Sequence, residues 1–254
     1  SPALVVGTVS WELLMGIQNR LVQYKDDDTL LEGMLAWDDD VTGPRPGVLV
    51  SHAWSGRSDF EDGKANVLAG LGYAAFALDL YGKGVRGSSP DENSALMQPF
   101  LDDRAMLQKR LLLSLAVLRD QAEVDASKTA AIGFCFGGLC VLDIARTGED
   151  IDGVVSFHGL LGAPGNTTGK SIKARVLALH GWDDPMAPPD SVVEFSAEMS
   201  AMHADWQLHA YGNTMHAFTN PDADDKAFGT VYDATADRRS FTSMQSFLQE
   251  LFNE

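Results

Sequence analysis

The residues best equipped for chemistry lie in Gly133-Phe134-Cys135-Phe136-Gly137-Gly138. The pattern is G-x-C-x-G, with an apolar run before it that reads as a strand and a helix-like stretch after it. This is the context of a nucleophile elbow, with Cys where Ser is usual. Such a turn is sharp and strained, so its flanking positions must be small, a need met by Gly133, Gly137 and Gly138. It would present the Cys135 sulfur at a helix N-terminus, where the backbone dipole favours the thiolate. Two other readings stand beside this one. A Gly-rich strand-to-helix turn can hold a phosphate, although the pattern is neither G-x-G-x-x-G nor a Walker loop with its Lys. A buried cysteine is also a common, inert core residue.

A thiol at an elbow needs a base and a group to orient that base, in the chain order nucleophile, acid, His. Downstream of Cys135, the apolar run Val176–His180 leads into Gly181-Trp182-Asp183-Asp184-Pro185. Asp184, directly before Pro185, is the expected acid; Asp183 is its rival and reads as a solvated turn residue. The next run, Gln207–Tyr211, leads into a loop that carries His216. Of the six histidines, His203 falls on a helix, His209 within a strand and His180 just before the acid loop, all three read as structural. His158 ends another strand and is a candidate for a pocket wall. His216 alone follows the acid where a base is expected, so three residues in order at three strand ends form a constellation.

The elements that must hold these residues follow from patterning. Strands are expected at Ile17–Tyr24, Leu31–Trp37, Val48–Ala53, Ala74–Leu80, Thr129–Phe134, Gly153–Phe157, Val176–His180 and Gln207–Tyr211. The first two alternate polar and apolar like an antiparallel edge, while later runs are nearly continuous, as a buried parallel sheet requires. Helices are expected at Phe60–Leu71 behind a Ser58–Asp59 cap, at Leu101–Gln121 with Leu107, Leu111, Leu115 and Leu118 on one face, at Gly138–Arg146, at Ser191–Met202 and at Ala236–Phe252. The alternation predicts an α/β fold: a doubly wound, mostly parallel sheet of about eight strands flanked by helices. Its ligand crevice would lie beyond the carboxyl ends of the strands.

Composition sets outer limits. The chain has 254 residues and a formal net charge of -17, so nucleic acid, which demands clustered Lys and Arg, is not an expected partner. The acidic balance serves solubility first. No run is long enough to span a bilayer, so no membrane partner is expected. The apolar Ser1–Met15 lacks the basic start and small-residue cleavage site of a signal peptide. Met15-Gly16 opens the reading that residues 1–16 are an extension of foreign, expression-derived origin, with 17–254 as one domain. Two cysteines five positions apart, Cys135 and Cys140, give neither a disulfide framework nor a zinc pattern, which fits a reducing cytoplasm. The expected state is a monomer or small homo-oligomer.

Taken together, the elbow G-F-C-F-G-G, the segment H-G-W-D-D-P (180–185), the loop H-A-F (216–218) and D-L-Y-G-K-G (79–84) resemble the dienelactone hydrolase family. The resemblance runs over nearly the whole chain after about Ile17. It implies the α/β-hydrolase fold, hydrolysis of small esters or lactones, no cofactor and no metal. Residue by residue, it implies Cys135 as nucleophile, His216 as base and Asp184 as its orienter. The backbone N–H groups of Phe136 and Trp54 would form the oxyanion hole. The chain also departs from the founding enzymes. Their oxyanion-loop Glu is matched here by Ala53, and their two carboxylate-gripping Arg by Lys83 and Asn220; Arg86 is close enough in sequence to substitute. Lys lacks the planar fork that grips a carboxylate, so a dienelactone is not the expected substrate. Trp54, Phe60, Trp182 and Phe218 suggest an aromatic-lined pocket, with core packing as the alternative for some of them.

A thiolate facing an oxyanion hole could also attack phosphorus, and the resemblance extends to a dienelactone-hydrolase-like enzyme active on phosphotriesters as well as esters. Two rival classes are a non-catalytic ligand-binding member of the fold and a redox sensor pairing Cys135 with Cys140. The intact triad speaks against the first and the spacing of the two thiols against the second.

Overall fold

The computed structural model describes residues 16–253. The expectations about Ser1–Met15 therefore lie outside the described residues. Eight strands form one sheet: β1 (Ile17–Asp26), β2 (Thr29–Asp38), β3 (Arg45–Ser51), β4 (Ala74–Ala77), β5 (Val124–Phe134), β6 (Gly153–Phe157), β7 (Arg175–Gly181) and β8 (Asp205–Tyr211). Their order is β1-β2-β4-β3-β5-β6-β7-β8. β1 pairs antiparallel with β2 and β2 with β4, while every pairing from β4 through β3 to β8 is parallel. All eight expected strands are present, and the alternating pair forms the antiparallel edge. This sheet, with helices on both faces, is the α/β-hydrolase fold.

Period-two alternation decides which side chain meets which layer. On β3, Val48 and Val50 point to one face and Leu49 to the other; on β5, Ala130, Ile132 and Phe134 oppose Ala131. The first face is covered by α1 (Asp59–Gly70) and α6 (Ala234–Asn253), through Ala65, Leu68, Met244, Phe247 and Leu248. The second is covered by α2 (Pro90–Asp102), α3 (Arg104–Arg119), α4 (Phe136–Arg146) and α5 (Pro189–Ala201). The expected stripe Leu107, Leu111, Leu115 and Leu118 is buried there.

Two expectations about helices are corrected. The single helix over 101–121 is two helices, because Asp103 ends α2 and its carboxylate caps α3 by accepting the Met106 N–H at 3.0 Å. No helix is expected over 90–100, yet these residues lie in α2, started by Ser89 as cap and Pro90 in the first turn. A short hairpin, β9 (Asp224–Asp225) with β10 (Thr230–Val231), stands outside the main sheet.

The chain reverses its direction of travel across the sheet at β3, which lies between β4 and β5. Crevices at such switch points, beyond the carboxyl ends of adjacent strands, are where this architecture binds ligands. The segments following β3 and β5 contain Trp54 and Cys135. No described helix is long and apolar enough to cross a membrane.

Candidate active site

Cys135 holds the position between β5 and α4 with φ 58 and ψ −118, a region costly for any residue with a Cβ and found at sites that hold strain. The surroundings over-determine it. Its N–H donates to the Phe157 carbonyl at 3.0 Å, and its own carbonyl accepts the Gly138 N–H at 2.9 Å. A Cβ at Gly133 would collide with the Gly137 carbonyl, and one at Gly137 with the Ser51 carbonyl. The elbow closes only with glycine at both places. All of α4 is buried, so Cys135 rests on a platform that cannot shift alone.

Asp184 and His216 come from the segments after β7 and β8. Asp184 is buried; its Oδ1 accepts the Met186 N–H at 2.8 Å, and its Oδ2 meets His216 Nδ1 at 2.7 Å. A carboxylate opposite Nδ1 requires that nitrogen to carry a proton and donate it. The other ring nitrogen, Nε2, is buried with no hydrogen-bond partner among the described residues. Burial pushes the imidazole pKa down, but the charge of Cys135 and the bond to Asp184 raise it to about 10. The rival Asp183 is exposed, and its N–H donates to the Thr214 carbonyl. His216 is held from behind by the hairpin strand: its N–H donates to Gly229 O at 3.0 Å and its carbonyl accepts the Val231 N–H at 3.1 Å.

After β3, the loop 52–56 is tied at each peptide. His52 Nε2 accepts the Leu80 N–H at 3.1 Å, which leaves Nδ1 as the protonated nitrogen donating to Ala53 O at 2.7 Å. Ala53 O also accepts from Gly56 N, Trp54 O from the Tyr81 hydroxyl, and Ser55 O from Gly87 N. In a trans peptide the N–H lies opposite the C=O, so anchoring Ala53 O fixes the direction of the Trp54 N–H. The amides of Trp54 and Phe136 donate to no acceptor among the described residues, whereas the Ala53 amide is engaged by Glu61 Oε1 at 3.2 Å.

These elements surround a cavity of about 520 Å³. Of the residues singled out in the sequence, Cys135, His216, Ala53, Trp54, Phe60, His158 and Asn220 line it. Four others fall elsewhere. Lys83 is turned to Glu32 at 3.2 Å and is 46% exposed. Arg86 is exposed, beside Gly56 on the outer side of the loop. Trp182 is 42% exposed, its ring edge against His180. Phe218 is core, packed against His158 and Tyr211. Those four are therefore corrected from pocket wall to surface or core.

Sequence reasoning missed Glu61, Met97, Leu160, Met186 and Phe228, all of which line the cavity. Phe228 stacks on Trp54 with ring centroids 5.9 Å apart and planes at 20°. Glu61 had a visible signal, the capping box Ser58-x-x-Glu61. His158 also takes a left-handed conformation, φ 39; its Nε2 is 2.8 Å from the Thr219 hydroxyl and its ring edge meets His216 at 5.3 Å. Burial first, then the His216 charge, hold its pKa well below the ordinary imidazole range.

A cysteine elbow after β5, an acid after β7 and a histidine after β8 on this sheet define an α/β-hydrolase site. The dienelactone hydrolase family pattern matches residues 31–252, and the chain belongs to that family; it is a carboxylic-ester hydrolase. Among solved structures it is similar to a dienelactone hydrolase-like promiscuous phosphotriesterase from metagenomic libraries, with 39% identity and a TM-score of 0.87 over 93% of this chain and 99% of the other. Among curated proteins, it is 30% identical over 191 residues to a Bradyrhizobium protein described as a probable 2-oxo-3-(5-oxofuran-2-ylidene)propanoate lactonase, covering 70% of this chain and 75% of that one. It is also 36% identical over 154 residues to an uncharacterized Caenorhabditis elegans protein, covering 59% of this chain and 98% of that one.

Proposed function

We propose that the protein hydrolyses small activated esters or lactones through a Cys135–His216–Asp184 triad and a covalent thioacyl-enzyme. The observation that carries this reading is the buried 2.7 Å contact of Asp184 with His216, which leaves Nε2 of a protonated imidazole as the group to face the Cys135 sulfur. The Cys135 thiolate attacks the ester carbonyl, and the amides of Trp54 and Phe136 receive the oxyanion. His216 Nε2–H then protonates the departing alkoxide. For deacylation His216 takes a proton from water, hydroxide adds to the thioester, and the acid leaves as the thiolate is regenerated. A thiolate needs little help from a base, which suits good leaving groups.

We extend the proposal to phosphotriesters. There the sulfur would displace an aryloxide from phosphorus, and water would cleave the S–P bond. Support comes from the 39% identical promiscuous phosphotriesterase and from a cavity whose described lining carries no Lys or Arg.

The test is hydrolysis of p-nitrophenyl esters of graded chain length and of an activated phosphotriester, in EDTA, by wild type, Cys135→Ala and His216→Ala. Loss of both activities in both variants is expected. Wild-type rates in Cys135→Ala would overturn the triad, and no turnover of any of these substrates by wild type would favour the ligand-binding reading.

A further inference from the structure

One cavity residue has no part in the mechanism above. Glu61, on the first turn of α1, is 1% exposed and yet lines the cavity. Its Oε1 accepts the Ala53 N–H at 3.2 Å; its Oε2 accepts the Ser58 N–H at 2.9 Å and the Ser58 hydroxyl at 2.7 Å. No cation lies within ion-pair distance of it among the described residues. Arg57 is committed to Asp62 at 2.7 Å. Lys64 stands behind the cavity wall, with its ammonium 5.0 Å from the Phe60 ring and 5.7 Å from the Phe134 ring, and Asp237 as well as Glu61 acts on its charge. The three bonds fix the carboxylate without neutralising it, beside the loop that carries the Trp54 amide.

We propose that Glu61 is a specificity-determining residue: its fixed charge in the cavity wall restricts the site to uncharged substrates and excludes anionic ones. This rests on the esterase reading above and names its substrate class. The remaining described lining is consistent, since Met97, Leu160, Met186, Trp54 and Phe228 are apolar or aromatic and Asn220 is neutral. An anionic acyl group would enter a confined site facing the Glu61 carboxylate. A unit charge several ångströms away, at an effective dielectric near 20, shifts such a preference on the order of tenfold. Esters, lactones and triesters without a free acid group meet no such barrier.

The experiment compares kcat/KM for p-nitrophenyl butyrate with that for mono-p-nitrophenyl succinate, which adds a carboxylate to the acyl chain. Wild type should prefer the neutral ester by about tenfold or more, and Glu61→Gln should narrow that ratio several-fold. A purely structural role would lower both rates and leave the ratio in place. Equal wild-type rates on the two esters, or an unchanged ratio in a folded Glu61→Gln, would overturn the proposal. Binding of 4-phenylbutyramide and 4-phenylbutyrate, read by isothermal titration calorimetry in wild type and in Cys135→Ala, measures the same discrimination without turnover. Equal binding of amide and acid also overturns it. A binding preference for the amide in a protein that hydrolyses neither ester would sink the esterase reading and leave the charge selection standing.

Discussion

The Asp184 carboxylate and the His216 imidazole meet at 2.7 Å with both side chains almost wholly out of solvent. Asp184 reaches this contact from the segment after β7, and Met186 N–H holds its second oxygen. Asp184→Asn would offer an amide to Nδ1 and allow the wrong tautomer. The expected result is a kcat lower by on the order of 10²–10⁴, with KM changed far less. Steady-state kinetics on an activated ester measures it; a loss confined to KM would count against the orienting role.

The raised pKa of His216 couples proton binding to stability. An unfolded histidine titrates near 6.5, whereas here the value is about 10. The folded state therefore binds the proton more tightly. That stabilisation is complete below about pH 6.5 and is lost as pH rises through about 10. Urea denaturation of wild type and His216→Gln from pH 6 to 10.5 should show the wild-type advantage shrinking over that window. A difference independent of pH would refute the linkage.

On the other face of the sheet, Arg146 is fully buried. It binds Asp143 at 3.2 Å, Glu198 at 2.8 Å and the carbonyls of Leu161 and Gly162, while Arg104 shares Asp143 at 2.7 Å. Removing one partner of a buried ion pair leaves uncompensated charge. Arg146→Met should cost about 3–5 kcal/mol of unfolding free energy. Chemical denaturation reads this directly, and a cost below about 1 kcal/mol would mean that the network relaxes around the gap.

The Trp54–Phe228 stack forms one wall of the cavity. An aromatic leaving group packed against it would gain about 0.5–1.5 kcal/mol. Phe228→Ala should therefore raise KM for p-nitrophenyl esters several-fold and leave alkyl esters of the same acid nearly unchanged. Equal effects on both series would show that the ring acts through the loop rather than on the substrate.

What could be read in the sequence was set by how locally each feature is determined. β5 and β6 carry mostly apolar buried runs, with only Thr129 and Ser156 as buried polar residues, so both read as strands. Cys135, Asp184 and His216 could be singled out because each follows a strand. α2 was hidden because Pro90 and Pro99 interrupt its pattern and only Phe100 is buried. The two-residue strands of the hairpin, one of them Asp224–Asp225, carry no strand signature. Lys83 could be placed only by knowing that Glu32 on β2 would draw it away. In the same way, Ser58-x-x-Glu61 announces a helix start, but its reach to the Ala53 amide depends on a loop brought close by the sheet.

α4 and the β9–β10 hairpin differ in how deeply they are built into the fold. Cys135 sits at the head of a helix with no exposed residue. Phe228 and Thr230 line the cavity from an excursion outside the main sheet that is fastened at His216 by two backbone bonds. Backbone bonds place no demand on side-chain identity. Within residues 224–231, Phe228 and Thr230 can be changed to reshape the cavity wall, whereas Gly229, at φ 89 with Pro185 packed against it, must stay for His216 to keep its anchor. A fold arranged in this way makes a change of substrate a far smaller step than a change of chemistry.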